Sequence, residues 1–288
     1  MKPEAFACLS ALLKKRSGLI LTEDKGYLVE SRLNPVAQKH GLPNLDALFV
    51  ALQRGNEALA AAVTEAMTTN ETSFFRDTKP FDMFRKEVLP EILERKAATR
   101  SLRIWSAAAS TGQESYSLAM LLREEAAKLA GWRIEIVGTD ISEAALKQAR
   151  AGIFSHFEVQ RGLPAAMLVK YFEKVDGSWQ INSLIRSMVQ FRSFNLLDNL
   201  SPLGSFDVIF CRNVLIYFDV ETKGQVLAAM SKRMNDKAVL FLGGAETVLG
   251  VSEQFEPVPG SRGLYRVAGG ASKPALKPVP TGFASAVA

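Results

Sequence analysis

Leu102-Arg103-Ile104-Trp105-Ser106-Ala107-Ala108-Ala109-Ser110-Thr111-Gly112-Gln113-Glu114-Ser115-Tyr116-Ser117 decides the fold. An apolar run stops at a cluster of small residues and then turns helical, with Tyr116, Met120, Leu121 and Leu122 continuing the helical period toward Leu129. The pattern is a strand, a tight loop and a helix start. Backbone N–H groups left free at such a start, beside side chains this small, let a ligand approach the main chain. Only Gly112 stands where the dinucleotide fingerprint requires three glycines, which disfavours a pyrophosphate cradle.

Beyond that helix, Arg133-Ile134-Glu135-Ile136-Val137-Gly138-Thr139-Asp140 reads as a second strand ending in an acid. An Asp at that place can accept hydrogen bonds from both hydroxyls of a ribose, so the unit suits an adenosyl cofactor. On these residues alone, a plain βαβ unit with an exposed Asp is an equal alternative.

Further along, strands alternate with helices from residue 101 onward, which predicts a parallel sheet with crossover helices. Ser142 is placed to cap a helix running to Arg150. Residues 168–194 interrupt the alternation. Runs at 169–175 and 179–181 about an Asp176-Gly177 turn, with a third run at 188–194, predict a small antiparallel insertion. Residues 206–214 are nearly continuously apolar and finish in Arg212 and Asn213, as a buried central strand does when its end opens into a site. A helix over 220–234, a strand over 239–242 and a last hairpin ending near Val267 follow. Residues 268–288, rich in Ala, Pro, Gly and Ser, read as a disordered tail.

Residues 1–69 read as all helix, over 3–15, 23–39, 45–54 and 57–69, with breaks at Gly18, at 41–44 and at Gly55-Asn56. Val29, Leu33 and Val36 make a core face of the second helix, which Pro35 should kink. Lys25, Arg32 and Lys39 recur every seven residues beside it, either as a solvated face or as a docking stripe for an acidic helix. Residues 70–100 join the two regions. Within 68–77, Thr68-Thr69-Asn70-Glu71-Thr72-Ser73-Phe74-Phe75-Arg76-Asp77 is chemically odd for a linker. A cofactor lid could use its Asn, Thr and Arg, whereas a mere joining loop would be pinned by Phe74 and Phe75. Phe81, Phe84, Val88, Ile92 and Leu93 then follow at helical spacing as core, across Pro90.

The 288 residues are 48% hydrophobic and 23% charged, the composition of a globular chain with ample core. No apolar run approaches a membrane span, and Lys14-Lys15-Arg16 cut off the only short apolar stretch near the start, so a cytoplasmic protein without a signal peptide is expected. Cys8 and Cys211 suggest neither metal nor disulfide, and His40 and His156 stand apart without ligand-like neighbours. The net charge of +5 is spread among acids without a basic block, which speaks against nucleic acid and for an acidic protein partner.

Taken together, residues 68–76, 105–117 and 210–218 (Phe210-Cys211-Arg212-Asn213-Val214-Leu215-Ile216-Tyr217-Phe218) resemble the chemotaxis receptor methyltransferases of the CheR family. The resemblance runs from about Phe6 to Val267. It implies an α/β fold: a small all-helical N-terminal receptor-docking domain (1–69), then a Rossmann-like methyltransferase domain (101–267) with a β-subdomain insertion (168–194).

The implied activity is S-adenosylmethionine-dependent methylation of glutamate side chains on the cytoplasmic helices of chemoreceptors, with S-adenosylhomocysteine as an inhibitory product. By matching position, Asn70, Thr72 and Arg76 would reach the methionine end, Glu114 the loop–helix side and Asp140 the ribose. Asn195, Leu196, Asn213 and Val214 would line the adenine and strand ends, and Tyr217 with Arg76 would border the methyl-transfer site. No metal, no nucleic acid and no membrane insertion are implied, and a monomer is expected. The family usually has Glu and then Glu-Pro after the glycine. Here Gln113 and Glu114-Ser115 stand there, with Glu114 as the retained acid. The hairpin around Asp176-Gly177-Ser178 is short for a subdomain that can hold a receptor's C-terminal pentapeptide, which speaks against a tether.

An ionised carboxylate needs no strong base to attack a sulfonium methyl, so the lack of a catalytic His or Cys suits this chemistry. The alternative is a non-catalytic adenosyl-ligand sensor that docks to a receptor or response regulator. It would keep Asp140 and Glu114 but could lose Arg76 or Tyr217.

Overall fold

A computed structural model describes residues 3–269. The 268–288 tail expected from composition lies, beyond Gly269, outside the described residues. Four helices come first: α1 (Pro3–Ser17), α2 (Gly26–Lys39), α3 (Leu45–Gln53) and α4 (Glu57–Met67). They close on a core of their own in which Leu9, Leu13, Val29, Leu33, Leu48 and Val63 are fully buried. α2 runs through Pro35 and starts later than the periodicity suggests, after a single 3-10 turn at Glu23–Lys25. Arg32 is no free member of a basic stripe, because its guanidinium donates to the carbonyls of Met67 and Thr68 and so ties off the end of α4.

Next, α5 (Lys79–Met83) and α6 (Leu89–Arg95) form one rod through a π turn at Phe84–Val88. The wide turn lets Leu89 N–H reach the Phe84 carbonyl just before Pro90, which has no N–H to offer. The rod buries Phe81, Phe84, Val88 and Ile92 against the sheet.

The α/β domain follows as β1 (Ser101–Ala107), α7 (Gln113–Glu124), β2 (Arg133–Asp140), α8 (Glu143–Ala151), β3 (Ile153–Phe154), α9 (His156–Gln160), α10 (Ala165–Tyr171), β4 (Phe172–Val175), β5 (Ser178–Ile181), α11 (Ser183–Arg186), β6 (Val189–Ser193), β7 (Phe206–Cys211), α12 (Val220–Ser231), β8 (Met234–Leu242), β9 (Phe255–Pro257) and β10 (Leu264–Val267). A seven-stranded sheet has the order β6-β2-β1-β7-β8-β10-β9. Its first five strands are parallel, and β10 and β9 close the far edge antiparallel. Apolar layers cover both faces, one holding Phe210, Phe241 and Ile104, the other Trp105, Ile209 and Leu240. Every residue of β7 is buried. Its one acid, Asp207, is satisfied by Lys96, the Arg103 N–H and Asn235 at 2.7–2.9 Å.

The insertion differs from the sequence reading. Residues 188–194 do not belong to it: β6 pairs parallel with β2 as the edge of the main sheet. Its place in the small sheet is taken by β3, giving the antiparallel order β3-β5-β4. Two residues are too short a strand to carry an alternating pattern, so β3 was invisible to periodicity. Residues 169–171 finish α10 rather than open a strand, and 232–234 leave α12 for β8.

Gly162 lets the connecting loop pass under the 68–77 segment. It has φ +86°, and a Cβ there would lie 2.1 Å from the Phe74 carbonyl oxygen. Gly162→Ala is expected to cost roughly 3 kcal/mol or more in urea denaturation, from overpacking plus left-handed strain. Gly177→Ala, also at positive φ but facing open space, should cost only about 1 kcal/mol.

Candidate functional site

Between β1 and β7 the strand order reverses, and the loops leaving β1, β2, β6 and β7 face one another at the C-terminal edge of the sheet. Crevices at such switch points are where open parallel sheets bind ligands. Here the crevice is a cavity partly open to solvent. Asn70, Thr72, Arg76, Glu114, Asp140, Asn195, Leu196, Asn213, Val214 and Tyr217 all line it.

The roof is the 68–77 segment. Phe74 is fully buried with its ring edge-on to Phe154 at 5.0 Å and Phe172 at 5.5 Å, and Phe75 meets Phe81 at 5.3 Å. The segment is thus pinned by its two phenylalanines and also lines the cavity. Phe75, Asp77 and Thr78 are held at positive φ, a strained run that persists because its surroundings fix it. Ser110 Oγ donates to the Asn70 carbonyl at 2.7 Å, and Phe75 N–H donates to Ser117 Oγ at 2.9 Å. Arg76 donates to the Glu71 carbonyl. The Arg161 guanidinium, and behind it Arg76, hold the exposed Glu71 carboxyl below its ordinary range.

From the β1 side, Ala108 and Ser110 sit at positive φ in the tight loop and face the cavity. Gly112 does not. Its N–H is bonded to the Ala109 carbonyl, and a Cβ on it would meet Ala149 and Phe191 at 3.0 Å. Ala108 and Ser110 thus face the cavity, and the glycine serves packing. Asp140, at the end of β2, accepts from Ser110 N–H at 2.7 Å and Ser142 N–H at 2.9 Å. Burial pushes its carboxyl above the ordinary aspartate range, against these backbone donors.

Beneath the roof lies an ion pair. Arg212, at the end of β7, gives Nη1 to Glu114 at 2.9 Å and Nη2 to the Arg76 carbonyl at 2.9 Å and to Asp77 at 2.6 Å. The Arg212 side chain is 1% exposed. Ser106 Oγ donates to the other oxygen of Glu114. Burial raises the Glu114 carboxyl above its ordinary range, with Arg212 and Ser106 pulling against it.

Sequence reading missed Arg212 as a site residue, although the charged end of an apolar strand was the signal. It also missed Glu246. That carboxylate accepts from the N–H groups of Asn213, Val214, Ile216 and Gly243 and shapes the whole exit loop of β7, with Asn213 at φ 59°. An acid shortly after a buried strand carries no readable pattern of this kind.

The helical domain closes the last side. Asn195 Nδ2 donates to the Arg16 carbonyl at 2.6 Å, and Ile20 N–H donates to the Tyr217 carbonyl at 2.9 Å. Lys14 pairs with Asp219 at 2.7 Å and holds its carboxyl well below the usual range. Glu65 of α4 accepts from Ser142 Oγ and from Ala144 N–H at the start of α8. Ser17 and Leu19 line the cavity as well, a contribution to which no motif pointed. Among the described residues no helix is long and apolar enough to cross a membrane.

Known proteins resemble the chain over most of its length. Residues 4–68 match the model of the CheR methyltransferase all-alpha domain, and residues 70–264 match that of the CheR methyltransferase SAM binding domain. The chain is 41% identical to chemotaxis protein methyltransferase 1 of Pseudomonas aeruginosa, covering 91% of this chain and 97% of that protein. It is 40% identical to chemotaxis protein methyltransferase Cher2 of Pseudomonas putida, covering 90% and 96%. A third relative, the chemotaxis protein methyltransferase of Vibrio parahaemolyticus, is 40% identical over 91% and 95%. With both domain models and full-length relatives matched, the chain belongs to the CheR methyltransferase family.

Proposed function

We propose that the protein uses S-adenosylmethionine to methylate glutamate side chains on the cytoplasmic helices of methyl-accepting chemotaxis receptors, working as a monomer in the cytoplasm. The observation that carries this reading is the convergence of Asn70, Thr72, Arg76, Asp140, Asn195, Asn213 and Tyr217 on one cavity in a chain of this family.

The donor set suits an adenosyl ligand piece by piece. Asp140 spends one lone pair of each oxygen on backbone donors and keeps others for a ribose diol. Leu196, Val214 and Phe194 offer an apolar wall to a base, with Asn213 beside them. Arg76 makes one hydrogen bond to a backbone oxygen, which leaves guanidinium donors for a carboxylate. Bound there, S-adenosylmethionine supplies a sulfonium methyl that a carboxylate oxygen takes as an ester, while the sulfur keeps the bonding pair as a neutral thioether.

The chain's own contribution is alignment and exclusion of water. A glutamate carboxylate is ionised at neutral pH, so no residue has to remove a proton. Arg76 and Tyr217 border the reacting region and would orient the incoming side chain, a matter of proximity and orientation. Glu114 and Arg212 would keep Arg76 at its station from below.

Incubation with methyl-labelled S-adenosylmethionine and receptor-containing membranes is expected to put label on the receptor that alkali releases as volatile methanol. Alkali-stable label would mean another acceptor, and tight S-adenosylhomocysteine binding without transfer would favour the sensor reading. In the same assay, Arg76→Ala should lower turnover at least tenfold, on the order of 1.4 kcal/mol of transition-state binding. Unchanged turnover and cofactor affinity would remove Arg76 from the site.

A further inference from the structure

The wall of the cavity at the end of β2 is assembled from both domains. Asp140 accepts from the N–H groups of Ser110 and Ser142, so the turn that leads into α8 sets the direction of its carboxylate. Ser142 is 1% exposed and caps that helix, its Oγ accepting from Ala145 N–H at 3.2 Å. The neighbouring donor, Ala144 N–H, goes instead to the helical domain. Glu65, in the last turn of α4, accepts it at 2.7 Å and accepts from the Ser142 hydroxyl on the same oxygen at 3.1 Å. A carboxylate at this place meets a donor that the helix cannot satisfy itself and faces the positive end of the helix dipole.

Glu65 is tied at its own end as well. Its carbonyl accepts from Thr68 N–H and Thr68 Oγ, and Arg32 holds the carbonyls of Met67 and Thr68 that follow. Thr68, Thr69 and Asn70 line the cavity, and Asn70 Nδ2 lies 3.5 Å from Ser142 Oγ. A hydroxyl offers one donor and two acceptor positions, and those of Ser142 are engaged by Glu65, Ala145 and Asn70. One carboxylate thus stands between the helix end that starts the roof and the helix start that aims Asp140.

We propose that Glu65 is a positioning residue for the cofactor's ribose: by fixing Ser142 and the first turn of α8, it holds Asp140 at the angle at which the sugar hydroxyls reach it. The inference rests on the reading of Asp140 as the ribose acceptor. It makes the helical domain a part of the cofactor site.

Affinities of the full-length protein for S-adenosylhomocysteine and for its 2′-deoxyribose analogue, measured by calorimetry, test this. The wild type should bind the analogue about tenfold more weakly, through loss of one hydrogen bond to a charged group. In Glu65→Ala, S-adenosylhomocysteine should bind about tenfold more weakly while the analogue changes less than about threefold, so the preference for the intact ribose nearly disappears. A general loosening of the domain contact would weaken both ligands equally. Glu65→Gln keeps an accepting oxygen and should retain the wild-type preference. Glu65→Asp keeps the charge but is one methylene shorter, and should behave as Glu65→Ala does. An unchanged preference in Glu65→Ala and Glu65→Asp, whether or not both affinities fall, would overturn the proposal. Equal binding of the two ligands by the wild type would overturn the ribose reading of Asp140 itself, and the role of Glu65 with it.

Discussion

The site depends on one buried guanidinium. Arg212 leaves β7 at the switch point of the sheet and spends its planar fork in two directions, on Glu114 of α7 and on the main chain of the roof segment at Arg76. A buried ion pair of this kind is a weak source of stability, because desolvation offsets most of the attraction. Its value lies in register. Two elements far apart in sequence, a helix start and a strained interdomain segment, are set relative to a third by donors whose angles are fixed. Phe81 beneath the guanidinium completes the seat, at 5.8 Å from the ring centre.

Strain gathers around the same place. Phe75, Asp77, Thr78, Ala108, Ser110 and Asn213 all take positive φ without being glycine. Neighbours from other elements hold most of them: the Phe74 and Phe75 rings anchor the roof, Asp140 holds Ser110, and Glu246 holds Asn213. Such conformations persist only where tertiary contacts outweigh their cost. The sheet, the helical domain and the cavity consequently share the same contacts. Asn195 and the Tyr217 carbonyl, both on the cavity wall, hold the chain that leads out of α1.

Much of this was legible in the residues. The strand–loop–helix at 102–117 and the acid at Asp140 place the parallel sheet and its open end, because period and small-residue clusters report local geometry directly. The three motifs of the CheR resemblance named residues that the fold brings to one cavity. What stayed hidden was long-range. Whether residues 188–194 pair with a hairpin or with β2 depends on which strand edge is free, and an alternating run of that length looks the same in both places. That the missing side chain of Gly112 makes room for Phe191 and Ala149 is likewise set by elements far along the chain. Glu246 reaches Asn213 at a separation of 33 residues and Arg212 reaches Glu114 at 98, distances along the chain on which no periodicity bears.

The most direct test of this account is the affinity of Arg212→Lys for S-adenosylhomocysteine, measured beside its thermal midpoint. Lysine keeps a charge opposite Glu114 but cannot also hold the Arg76 carbonyl with a fixed fork. The account requires a midpoint close to the wild type's and an affinity at least tenfold weaker. A variant that is as stable and binds as tightly as the wild type would contradict it, because the roof would then be held in place without the guanidinium.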